Sequence, residues 1–191
     1  MNVQSQLLGD FVVVGDLGEW KIRASSVLVE PKLEHLKISL SAPAPLTPPF
    51  LRLDNKIPQT DMFAKWTSGG IFYRGIPPNW WSRTHSDLAT QVPIVQVNNN
   101  ADRNRFLIAC SDALRFVVFH CGILEEGCAL TTSIRMFEQA EAPIQNYEFI
   151  LRIDMRDCFY ADALQEASKW FASFEEYKPT ITPKAAYDSI Y

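Results

Sequence analysis

Apolar and polar residues alternate with period two along most of the chain. Leu36, Ile38 and Leu40 alternate with Lys37 and Ser39, the signature of a strand with one face in water. The same pattern predicts strands over 11–14, 20–23, 27–30, 71–74, 94–97, 106–109, 116–121, 130–137 and 148–155. Polar punctuation separates them. The asparagine-rich run 98–104 joins two apolar stretches, and Gly127 after Glu125 and Glu126 sits where a hairpin wants positive φ. Many short strands between turns predict an all-β, antiparallel sandwich or barrel in place of alternating βαβ units.

The pattern changes period near the end. Leu164, Ala167, Phe171 and Phe174 fall at helical spacing with Trp170 beside them, while Asp162, Gln165, Glu166 and Lys169 take the other side. This predicts one amphipathic helix over 160–176, ended by Lys178-Pro179. The domain is therefore expected to span 1–177, with 178–191 a linker. Two stretches lack clean periodicity. Residues 42–49 hold four prolines and are expected to form a strand-to-strand connector excluded from a central strand, a PxxP ligand being the less favoured reading. Residues 59–91 scatter Phe63, Trp66, Phe72, Tyr73, Trp80 and Trp81 among glycines, prolines and polar groups.

Composition narrows the classes. A chain of 191 residues, 47% apolar and 21% charged, can bury a core as a single domain. A net charge of -4 lacks the basic face that a nucleic-acid binder needs. No apolar run approaches the roughly 18 residues of a membrane span, and residues 1–10 lack the basic and apolar regions of a secretory signal. Three of the four cysteines (Cys110, Cys121, Cys128 and Cys158) lie in apolar strand-like runs. They read as reduced, structural residues of a cytoplasmic protein, with a Cys121–Cys128 hairpin disulfide as the alternative. His35, His85 and His120 do not cluster with them at zinc spacing, so no metal and no cofactor is expected.

The search for chemistry finds binding groups more readily than catalytic ones. Tryptophan faces stack on the C–H faces of sugar rings, and Trp66, Trp80 and Trp81 stand near Asp61, Lys65, Asn79, Arg83 and His85. These tryptophans could equally cap one end of the core. Glycoside hydrolysis needs two carboxylates across a substrate. The pairs Glu125/Glu126, Asp154/Asp157 and Glu175/Glu176 read instead as solvated turns and strand-end salt bridges. Ser111 follows a strand but has no G-x-S-x-G elbow, and His120 sits within an apolar run as a sheet histidine. No catalytic residue is expected.

Several segments resemble a known family. Residues 106–114 after the asparagine-rich turn, 58–62 followed by Trp66 and then 75–80, 147–156 with the helix after it, and 185–191 are similar to blocks in the N-terminal domain of glycoside hydrolase family 36 α-galactosidases, relatives of the raffinose synthases. The resemblance implies an antiparallel β-supersandwich of the galactose-mutarotase type with one C-terminal helix. It implies packing on a catalytic (β/α)₈ barrel that lies beyond this chain and holds both catalytic aspartates of a retaining mechanism. It further implies that loops of this domain approach a galactoside-type sugar, in some members in a neighbouring subunit of a homo-oligomer. Trp66, Trp80, Trp81, Asp61 and Arg83 are the candidates for that contact. An autonomous carbohydrate-binding module is the alternative, and a self-contained sugar enzyme such as a mutarotase a third reading.

Overall fold

A computed structural model describes residues 1–58, 65–68, 71–74, 94–112, 118–123, 129–136 and 142–174. The expected all-β class is what it shows. Twelve antiparallel strands lie in two sheets among these residues, with one C-terminal helix. The smaller sheet has the order β1 (Asn2–Ser5), β2 (Gly9–Val14), β5 (Leu51–Pro58), β11 (Ala129–Met136) and β10 (Val118–Ile123). The larger runs β3 (Lys21–Glu30), β4 (Leu33–Leu46), β12 (Ile144–Asp154), β9 (Asn104–Cys110), β8 (Ile94–Asn98), β6 (Lys65–Ser68) and β7 (Ile71–Arg74).

The alternation read from the sequence is what closes these sheets on one another. Leu36, Ile38 and Leu40 of β4 and Phe149, Leu151 and Ile153 of β12 point inward. They meet Phe11 of β2 and Leu51 and Leu53 of β5 in one buried cluster. Strand β9 has both faces covered. Phe106, Ile108 and Cys110 enter that cluster, while Leu107 and Ala109 turn to the outer face and meet Ala163 and Ala167 of α1 (Tyr160–Ala172). A strand buried on both sides loses its polar alternation, and β9 reads Phe-Leu-Ile-Ala-Cys.

The asparagine-rich run joins β8 and β9, as expected, and it does so as an antiparallel hairpin. Asn99 Oδ1 accepts from the N–H groups of Ala101 and Arg103 at 3.0 and 2.9 Å. Asp102 takes positive φ, 55°, a conformation that aspartate tolerates better than most side chains. Its carbonyl then accepts the Tyr160 N–H at 2.8 Å. Helix α1 has no side-chain N-cap, so this turn satisfies one of its orphan donors. Its Asp162, Gln165, Glu166 and Lys169 face water and Ala163, Ala167 and Phe171 are buried, the two faces expected.

Three expectations need correction. The proline-rich run does enter a strand: β4 continues through Pro43 and Pro45 to Leu46, between β3 and β12. It is tolerated because the β3 ladder stops at Lys21↔Ser41, and the β12 register shifts between Ile144 and Asn146. No ladder partner on the β3 side asks for the proline N–H. The runs 20–23 and 27–30 are not separate strands. They join through Ala24, Ser25 and Ser26 into β3, which pairs with β4 from Lys21 to Glu30. The helix ends at Ala172 and not at 176. The N–H groups of Ser173 and Phe174 turn back to the carbonyls of Trp170 and Phe171 at 3.1 and 3.2 Å, the tightened final turn of a helix end.

Candidate functional site

Segment 59–93 carries the predicted sugar-facing residues, and its borders are fixed by the fold. Strand β5 belongs to the smaller sheet, whereas β6, β7 and β8 form one edge of the larger. The chain therefore crosses between sheets here. Trp66 lies in β6, opposite Tyr73 of β7 and Val97 of β8. Val97 is a fully buried member of the inter-sheet core. Asp61, Trp80, Trp81 and Arg83 lie outside the described residues. Of the five candidates, the structure thus places only the backbone of Trp66, and it brings no two of them together among the described residues.

The two fully buried carboxylates, Glu34 and Asp154, have structural work. Glu34 is fully buried at the start of β4. Its Oε2 accepts from Ser5 Oγ at 2.7 Å and the Leu7 N–H at 3.0 Å; its Oε1 accepts from the Gln6 N–H at 3.0 Å and Ser26 Oγ at 2.6 Å. The carboxylate ties the β1–β2 turn of one sheet to β3 and β4 of the other. Four donors leave it no free lone pair for a substrate.

Asp154, at the end of β12, is also fully buried. The Arg156 N–H and Nε donate to Oδ1, both at 3.0 Å, and Nη2 to Oδ2 at 2.5 Å. These bonds hold the Arg156 guanidinium above its usual proton affinity. Arg156 reaches on to Glu166 of α1 at 2.5 Å and Glu30 of β3 at 3.2 Å. Arg152 adds contacts to Glu166 at 3.4 Å and Asp154 at 3.7 Å. Asp157 turns away to Arg103 at 3.0 Å, and that bond holds its carboxyl below the usual range. The Asp154/Asp157 pair is therefore the strand-end salt-bridge arrangement expected. The pairs Glu125/Glu126 and Glu175/Glu176 lie outside the described residues.

Beside this network, Asn104 bridges strands. Its Nδ2 donates to the carbonyls of Asp154 and Arg156 at 3.2 and 3.1 Å, and its Oδ1 accepts from Gln96 at 3.1 Å. Gln96 also donates to the Tyr160 carbonyl at 3.0 Å. Ser111 stitches β9 to β12. Its N–H donates to the Ile150 carbonyl, and its Oγ accepts the Ile150 N–H, each at 2.8 Å. Tyr147 Oη bonds the adjacent Asp112. Ser111 is thus a strand-end acceptor without the exposed elbow of a nucleophile. His120 lies in β10 opposite Ser133.

Two open clefts border the described residues. One, of about 520 Å³, lies between β1 and β3 and is lined by Asn2, Gln4, Gln6, Ile22, Arg23 and Ser26 among others, with no acidic residue. The other, of about 470 Å³, lies beside Trp20 and Pro43, and Glu19 is its single acid. Neither faces two carboxylates across a substrate, as glycosidic cleavage would need. Trp20 was not among the predicted sugar-facing tryptophans. It is 6% exposed and donates from Nε1 to the Thr47 carbonyl at 3.2 Å, so it closes the core more than it offers a stacking face.

Among the described residues no group of three metal-binding side chains comes together, and no helix is long and apolar enough to cross a membrane. No family model matches the chain, and no curated protein matches it.

Proposed function

We propose that this chain is the non-catalytic N-terminal domain of a retaining, α-galactosidase-like glycoside hydrolase. In this reading it packs on a catalytic barrel and helps to wall the sugar pocket through Trp66, Trp80, Trp81, Asp61 and Arg83. The observation that carries the non-catalytic part is the use of the buried carboxylates. Glu34 is saturated by four donors that tie strands of the two sheets together, and Asp154 is held by three bonds from Arg156, which in turn reaches the helix. A catalytic acid or nucleophile needs a free oxygen aimed into a cleft. The link to galactosidases rests on the sequence blocks around 58–80, 106–114 and 147–156, together with a two-sheet antiparallel fold of the kind they imply. The same reading puts the protein in the cytoplasm. The free thiols of Cys110 and Cys158 are what a reducing compartment leaves unpaired.

The test has two arms. The 191-residue chain is assayed with a synthetic aryl α-galactoside and titrated calorimetrically with galactose. Neither turnover nor heat is expected. Binding without turnover would favour the autonomous carbohydrate-binding module, and turnover would overturn the non-catalytic reading. In the parent enzyme, alanine at Trp66, Trp80 or Trp81 should raise KM for the galactoside. Unchanged kinetics for all three would remove the pocket-wall role.

A further inference from the structure

Helix α1 covers a histidine that has no use in the network beside it. His35 lies on the outer face of β4, with Val27 of β3 on one side and Arg152 of β12 on the other in the ladder. Trp170 of α1 closes over the imidazole, ring centroids 5.4 Å apart at 42°. The Nε2 atom is buried and has no hydrogen-bond partner. A neutral ring tolerates an unpartnered acceptor at modest cost, whereas protonation would turn Nε2 into a buried, unpartnered donor and add a charge.

We propose that His35 makes the seat of the C-terminal half of α1 sensitive to acid, so that protonation of this one imidazole loosens Trp170 and its turn from the sheet.

Burial sets the direction, and the charges around the ring do not reverse it. From β12 comes Arg152, whose side chain is 7% exposed. The acids within reach are committed to arginines: Asp154 of β12 and Glu30 of β3 to Arg156, and Glu166 of α1 to both Arg156 and Arg152. Lys37 follows two residues along β4 and is paired with Glu148 at 2.7 Å, and Lys169 of α1 adds no negative charge. Trp170 offers an electron-rich ring, which favours a cation weakly and does not replace a hydrogen bond. Burial first, and Arg152 second, hold the His35 imidazolium below the usual histidine range. A depressed histidine contributes stability that is fully present above about pH 6.5 and is lost as pH falls through the folded-state value.

Hydrogen–deuterium exchange of the 191-residue chain between pH 8 and 5 tests the proposal, with His35→Gln measured beside wild type to cancel the intrinsic pH dependence of exchange. Peptides covering the last two turns of α1 should open more in wild type as pH falls, by up to about tenfold per unit in the titration window. Peptides from β9 and β12 should not change, and His35→Gln should show no such rise. An identical pH response in the two proteins overturns the proposal. Should His35→Gln fail to fold, nitrogen NMR of wild-type His35 decides alone. An imidazole titrating near the ordinary value of about 6.5 also overturns it.

Discussion

At the scale of single residues, the buried charges carry the sharpest consequences. Glu34 serves four donors from two segments of chain, residues 5–7 and Ser26. Replacing it with alanine removes the shared acceptor of two hydroxyls and two N–H groups, of which the Ser5 hydroxyl is buried and the Leu7 N–H keeps Ser5 Oγ at 3.2 Å. A stranded buried group costs about 1–3 kcal/mol, and water entering beside the β1–β2 turn can serve some of the four. Glu34→Ala should therefore lower stability by about 3 kcal/mol in urea titration. Glu34→Gln, which keeps one acceptor oxygen, should lose less. Equal losses for both would show that the carboxylate's second oxygen contributes nothing. The residue is legible in hindsight. It occupies the same phase as Leu36, Ile38 and Leu40, so an acid stands where the alternation asks for a core side chain. Cys110 is simpler. It is fully buried, and desolvation pushes its thiol well above the usual range. Native protein exposed to iodoacetamide at pH 8 should stay unmodified at Cys110 in peptide mapping, and unfolding in urea should open it to reaction.

Elements were readable where several apolar residues fell close together, alternating or in an unbroken run. Strand β4 declares itself by Leu36 to Leu40, and α1 by its spacing. Three strands were missed for physical reasons. Strand β1 has a single large apolar residue, Val3, in four positions, too short a run to show a period. Strand β5 does alternate, with Leu51, Leu53 and Ile57. Its third inward position, however, is Asn55, buried and donating to the carbonyls of Leu8 and Asp10, each at 3.0 Å. A polar residue that sews two strands together breaks the apolar pattern that identifies them. Strand β6 has Trp66 alone among Lys65, Thr67 and Ser68. The candidate site was less legible than the fold because sugar stacking has no period. A tryptophan that stacks on a ligand and one that fills a core share the same letter. Helix α1 yields a test at its own scale. Ala167 is fully buried against the outer face of β8 and β9, while Ala161 is exposed. Ala167→Leu should cost about 1–3 kcal/mol by overpacking, and Ala161→Leu should change stability by less than about 0.5 kcal/mol. Equal effects in thermal melts would mean that α1 does not sit closely on the sheet.

For the whole molecule, the question is whether two sheets and a helix behave as one unit. The inter-sheet cluster draws on both sheets at once. Phe11 of the smaller sheet and Phe106 and Phe149 of the larger are fully or almost fully buried within it. Glu34 adds a polar tie at one edge of the sandwich. The Asp154–Arg156 network then joins the larger sheet to α1. No layer in this arrangement can leave without exposing apolar surface of another. Phe11→Ala removes a side chain of the smaller sheet only, and a cavity of that size costs about 3–5 kcal/mol. If the sheets are one cooperative unit, its unfolding midpoint should fall equally whether read by near-ultraviolet circular dichroism, by far-ultraviolet circular dichroism or by exchange of β9 amides in the larger sheet. A midpoint that falls for the smaller sheet while the β9 amides keep their protection would separate the molecule into two folding units. The larger sheet, carrying α1 and the β6–β7 edge, would then be the part that persists.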